Sequence, residues 1–135
     1  MTQKRKGRPR PRPTDGELQI LRVLWERGPS TVRQIHDTMV AAARTGPGYT
    51  TVLKLMQIMT AKGLLDRDER QRPQVYSSRF AQHETQRQLL RDLLDRAFGG
   101  SHRALVLQAL ADRKASEDEL LEIEGLLDRI EGESR

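Results

Sequence analysis

The chain has 135 residues, of which 36% are hydrophobic, 32% charged and only 4% aromatic, with a formal net charge of +5. That length allows one domain, or a small domain with an appendage, and the modest apolar mass suits helices that each bury one stripe rather than a single large core. Zero cysteines exclude disulfides and thiolate metal sites, and no apolar run reaches membrane-span length or forms a signal-peptide h-region after the basic start, so a soluble, cytoplasmic protein is expected.

The charge is unevenly placed. Residues 1–13 hold six basic residues and no acid, residues 14–80 ten basic and seven acidic, and residues 81–135 eight basic and twelve acidic. A basic front and an acidic back predict that the front faces a polyanion. Residues 1–13 carry one apolar side chain and three prolines, so they read as a disordered basic arm. Within it Lys6-Gly7-Arg8-Pro9 resembles an AT-hook core, whose extended backbone lays arginines such as Arg8 and Arg10 along a minor groove. A solvated tail attracted to phosphates without sequence preference is the alternative.

Thr14-Asp15-Gly16-Glu17 has the spacing of a capping box, and Leu18, Leu21, Leu24 and Trp25 follow at helical intervals. Arg27-Gly28-Pro29 ends this first helix. Ser30 is expected to cap a second helix that turns Val32, Ile35, Met39 and Val40 inward. Residues 43–48 form a breaker-rich loop. A third helix runs from Tyr49 to the Lys62-Gly63 stop. Its Val52, Leu55, Met56 and Met59 make an apolar stripe, and Thr50, Lys54, Gln57 and Ala61 lie on the other side without an acid among them. Such a face reads either as an ordinary solvated surface or as one that enters a groove.

Residues 64–69 and 74–77 are short strand-like runs around the polar turn Arg70-Gln71-Arg72-Pro73, which reads as a hairpin. Three short helices followed by a hairpin is the order of a winged helix-turn-helix domain, here residues 14–80. In that order the third helix enters the major groove and the hairpin tip, with Arg70 and Arg72, reaches the backbone or minor groove. The expected fold class is therefore mainly α with a small β-hairpin wing, followed by a helical domain over residues 81–135. That second part carries Leu89, Leu90, Leu93, Leu94, Ala97 and Phe98 on a helix stopped by Gly99-Gly100, a short helix opened by Ser101, and a capping box at Ser116 to Glu119. Leu120, Ile123, Leu127 and Ile130 then follow with the spacing of a helix–helix seam. Leu90, Leu93, Leu94, Ala97, Leu120, Ile123 and Leu127 are the candidates for a homodimer interface, against the alternative of helices folded back on the first domain.

Catalytic and metal chemistry are not expected. His36, His83 and His102 are isolated in sequence, no nucleotide-binding or nucleophile-elbow motif occurs, and Thr50 and Thr51 have no activating base within reach. No cofactor is implied, and Gly28, Gly46, Gly48 and Gly63 sit at element boundaries.

With these elements placed, the chain resembles the penicillinase-repressor family of bacterial transcription regulators. The resemblance runs from about Thr14 to about Ile130. It is carried by Glu17, Leu21, Leu24 and Trp25, by Tyr49-Thr50-Thr51-Val52-Leu53, by Lys62-Gly63-Leu64-Leu65, by Val75-Tyr76, by Phe98-Gly99-Gly100-Ser101 and by Leu105-Val106-Leu107. It implies a homodimeric repressor with an N-terminal winged helix and a C-terminal dimerisation domain, bound to a palindromic double-stranded DNA operator. Thr50, Thr51 and Lys54 then fall where the family contacts DNA, and Gln57 extends that set. The resemblance also implies derepression by proteolysis or another signal, with a membrane sensor metallopeptidase system as a partner. Gln108-Ala109 stands where the best-studied relatives carry Asn-Phe at their cleavage point, and the C-terminal cysteines of copper-responsive relatives are absent. Leu53 occupies a position often polar in the family, where it either meets a thymine methyl or packs against the wing. The rival readings are a winged-helix protein-interaction adaptor and a weakly specific architectural DNA-binding protein.

Overall fold

The structure, a computed structural model, describes residues 11–111 and 116–133. Among them the elements run α1 (Asp15–Arg27), α2 (Val32–Ala43), α3 (Tyr49–Lys62), β1 (Leu65–Asp68), β2 (Val75–Ser78), α4 (Gln82–Phe98), α5 (His102–Ala111) and α6 (Glu117–Glu133). The fold is mainly helical with one antiparallel hairpin, in the order of a winged helix. It forms two compact units that meet in sequence at Leu89 and Leu90, within α4.

The first unit starts from its caps. Thr14 Oγ1 accepts from the Glu17 N–H at 3.3 Å, and Glu17 Oε1 accepts from the Thr14 N–H at 3.0 Å. Each end-of-helix donor satisfied in this way stabilises by about 1 kcal/mol. Gly28, with φ of 90°, ends α1 in a conformation that costs a side-chain-bearing residue strain.

One expectation is corrected here. The N-cap of α2 is Thr31, not Ser30: Thr31 Oγ1 accepts from the Gln34 N–H at 3.2 Å while Gln34 Oε1 accepts from the Thr31 N–H at 2.9 Å. Ser30 is fully buried and serves the sheet instead. Its N–H donates to the Tyr76 carbonyl at 2.9 Å and its carbonyl accepts from the Tyr76 N–H at 2.8 Å. A buried backbone needs partners, and Ser30 finds them on β2 rather than at a helix start.

β1 and β2 pair antiparallel with Leu65 opposite Ser78, Arg67 opposite Tyr76 and Asp68 opposite Val75. The root of this wing is tied to α1, because Trp25 Nε1–H donates to Ser78 Oγ at 3.1 Å and Ser78 donates onward to the Phe80 carbonyl at 2.7 Å. The core draws Ile20, Leu21 and Leu24 from α1, Ile35 and Met39 from α2, and Val52, Met56 and Met59 from α3, closed by Leu64, Leu65 and Tyr76. Full burial of such a side chain stabilises by roughly 1.5–3 kcal/mol, so the three helices are held by packing more than by propensity.

The second unit comprises the end of α4 with α5 and α6. α4 stops at Gly99 and Gly100, whose φ values are 57° and 83°, and the Gly100 N–H donates to the Leu94 carbonyl at 2.9 Å. Ser101 Oγ caps α5 by accepting from the Ala104 N–H, and Ser116 and Glu119 form the expected capping box of α6 at 3.1 Å in both directions. No helix among the described residues is long and apolar enough to cross a membrane.

Candidate nucleic-acid interface

α3 separates its two faces as the sequence pattern demands. Val52, Met56 and Met59 are buried, and Thr50, Thr51, Lys54, Gln57 and Ala61 are exposed. Among the described residues, the side chains of Thr50, Thr51, Lys54 and Gln57 make no hydrogen bond or ion pair within the chain. The contrast is Thr60 on the same helix, whose Oγ1 donates to the Met56 carbonyl at 2.8 Å and is thereby occupied. The open hydroxyls, ammonium and amide form a row of donors and acceptors suited to base edges and phosphates. At the start of the helix, Gly48 supplies no side-chain cap, so the first-turn amides also stay open. Leu53 is half-buried and packs against the core cluster.

The helix that carries this row is fixed from both ends. At its C-terminus Lys62 Nζ donates to Glu17 Oε1 at 2.7 Å, with the Glu17 side chain 3% exposed and the Lys62 side chain 33% exposed. Gly63 follows in the left-handed region at φ of 90°, and its N–H donates to the Met59 and Thr60 carbonyls. At its N-terminus Tyr49 meets two α2 side chains. Arg33 Cζ stands 4.7 Å from the centre of the Tyr49 ring, and the His36 ring approaches it edge-on at 5.9 Å. Helical spacing reveals none of this, because Tyr49 belongs to α3 and Arg33 and His36 to α2. The only available signal was an aromatic residue at the first position of the polar-faced helix.

The wing is less open than its arginines imply. Arg70 Nε donates to Asp68 Oδ1 at 3.1 Å, the Arg70 N–H donates to the same oxygen at 3.0 Å, and Gln71 Nε2 donates to Oδ2 at 3.0 Å. The Arg70 side chain, then Gln71 and the Arg70 backbone N–H, all favour the ionised carboxylate and hold Asp68 at about 2, below its ordinary 3.8. Arg67 pairs with Glu69 and Arg79 with Asp66, both at 2.7 Å. Arg72, exposed at the tip, makes no ion pair among the described residues. Of the two wing candidates, then, Arg72 is the open cation and Arg70 is already engaged. Arg8 and Arg10 lie outside the described residues.

In the second unit Leu90, Leu93, Leu120 and Leu127 are exposed, as is Ala97, while Ile123 is half-buried and Leu94 is buried within the chain. Among the described residues no group of three or more His, Asp or Glu side chains is arranged to hold a metal ion.

Comparison with individually curated proteins gives no match. The family model described as penicillinase repressor matches residues 13–129, which reaches into both units and leaves out all but the last residue of the basic arm and the last six residues of the chain. With the caps, the two-faced α3 and the wing in the order found above, the chain belongs to the penicillinase repressor family, a family of DNA-binding transcriptional repressors.

Proposed function

We propose that the protein is a sequence-specific DNA-binding repressor that acts as a homodimer on a palindromic operator in the cytoplasm. The observation that carries this reading is the row Thr50, Thr51, Lys54 and Gln57, exposed and unpartnered on a helix whose opposite face is locked into the core. Water alone can satisfy such a row, and what favours a helix that enters the major groove is the row's place on the third helix of a winged helix, just before the wing. In this reading residues 14–80 bind DNA and residues 81–135 dimerise. Lys54 and Gln57 read base edges, Thr50 and Thr51 contact bases or adjacent phosphates, and Arg72 follows the backbone from the wing. Arg70 joins Arg72 once a phosphate replaces Asp68, and the arm adds Arg8 and Arg10.

Occupying a promoter represses it, and separating or cutting the dimer relieves it. A membrane sensor metallopeptidase system is the upstream partner that family membership favours. Gln108-Ala109 lies inside α5, so cleavage there requires that helix to open first.

Selection of bound duplexes from a random library tests the proposal directly. A two-fold symmetric site should emerge, bound at physiological salt ~10³-fold or more tightly than random duplex. Enrichment of A·T-rich sequences without symmetry would instead establish an architectural binder, and no enrichment at all would leave the adaptor reading.

A further inference from the structure

Arg33 sits in the first turn of α2, apart from the row on α3. Its guanidinium carbon stands 4.7 Å from the centre of the Tyr49 ring, and Tyr49 itself is 37% exposed at the first position of α3. Asp37 lies four residues after Arg33, where an ion pair is within reach of the helix geometry. It does not form. Asp37 Oδ1 is instead 3.5 Å from His36 Nδ1, and Arg33 makes no ion pair among the described residues.

This choice of partner matters chemically. A carboxylate would occupy the N–H edge of the guanidinium, whereas an aromatic ring takes only its flat face. Set over the Tyr49 ring, the exposed group is held in place while its N–H donors make no hydrogen bond or ion pair among the described residues. A planar fork of open donors fixed beside a helix start is the geometry that grips a phosphate through two parallel bonds. His36, edge-on to the same ring at 5.9 Å and an interplanar angle of 79°, steadies the stack from α2.

We infer that Arg33 anchors the DNA backbone beside the recognition helix and that Tyr49 positions it to do so. The inference rests on the DNA-binding reading and adds a contact from α2 that sets where α3 enters the groove. Because phosphates carry no base identity, Arg33 should contribute equally on any duplex, unlike a base-reading side chain.

The test uses the full chain, its selected operator and a random duplex, each titrated over a series of salt concentrations, with thermal unfolding to show that each variant is folded. Arg33→Ala should weaken both duplexes by a similar factor, about tenfold, and should reduce the slope of log affinity against log salt by about 1.8, the value of two phosphate contacts, one from each protomer of the dimer. Arg33→Lys keeps the charge but not the planar fork, so it should retain the slope and recover only part of the affinity. Tyr49→Leu should weaken binding in the parent chain but not further in Arg33→Ala, and Tyr49→Phe, which keeps the ring, should restore what Tyr49→Leu loses.

An unchanged salt slope in Arg33→Ala overturns the phosphate contact. A loss confined to the operator overturns it too, in favour of base reading. A Tyr49→Leu loss that adds fully to that of Arg33→Ala overturns the positioning role. If the parent chain itself shows no preference for its selected site, the function reading fails, and that is visible before any variant is made.

Discussion

Lys54 and Arg70 are both exposed cations, yet one is open and the other is held. Lys54 projects from α3 without a partner among the described residues, so Lys54→Ala should leave the fold intact and weaken operator binding by ~1–3 kcal/mol, with a smaller loss on random duplex. Competition titrations with both duplexes check this, and equal losses would remove Lys54 from base reading. Arg70 is held by Asp68, which accepts from its side chain and its backbone at once. Asp68→Asn keeps an oxygen for the backbone bond and removes the charge. It should therefore release Arg70, tighten random-duplex binding and steepen the salt dependence. The sign of the pH effect follows from the direction of the shift. Asp68 is held at about 2, below its ordinary 3.8, so the link is fully present above that ordinary value and is lost as pH falls through about 2. A carboxyl titration by NMR should find Asp68 still ionised at pH 3. At this scale the α3 row was legible because side chains repeat along a helix by a fixed angle. The Asp68–Arg70 link was not, since it depends on how a six-residue turn bends, and the Arg33–Tyr49 stack was not, since it joins two helices.

Among the elements, α3 depends most on what grips its ends. Glu17 does two jobs there: it completes the cap of α1 and accepts from Lys62 at the end of α3. Lys62→Met would keep the stem against the surface and leave a buried carboxylate without its cation. Destabilisation of about 2–3 kcal/mol is expected in urea unfolding, less than for a fully buried pair because the Lys62 side chain is a third exposed. A change below ~0.5 kcal/mol would show that the pair contributes nothing to holding the helix. The capping boxes at Thr14 and Ser116 could be read directly, since a hydroxyl and a carboxylate three residues apart satisfy each other locally. The start of α2 could not. Ser30 and Thr31 are adjacent and equally suited to cap a helix, and what separates them is Tyr76, far along the chain, which claims the backbone of Ser30. The Glu17–Lys62 pair is hidden for the same reason: its partners are 45 residues apart.

For the whole molecule, the second unit carries more exposed leucine than a lone chain has cause to show. Leu90 and Leu93 are 49% and 50% exposed on α4, and Leu120 and Leu127 are also open on α6. Leu93→Asp should give monomers in sedimentation while sparing the first unit, because a carboxylate cannot be buried unpaired in an apolar seam. A dimer that survives the change would place the seam elsewhere. The order of the elements could be read in the sequence. Which leucines are already covered, as Leu94 is, required the fold. The bond from Trp25 to Ser78 has a further consequence. Trp25 is the sole tryptophan of the chain and its indole N–H ends on the last residue of the wing. Its fluorescence is therefore a built-in optical gauge of the wing root. Light emitted at one fixed point will report, without any attached dye, whether the hairpin stays seated on the first helix when DNA arrives or when the chain is heated.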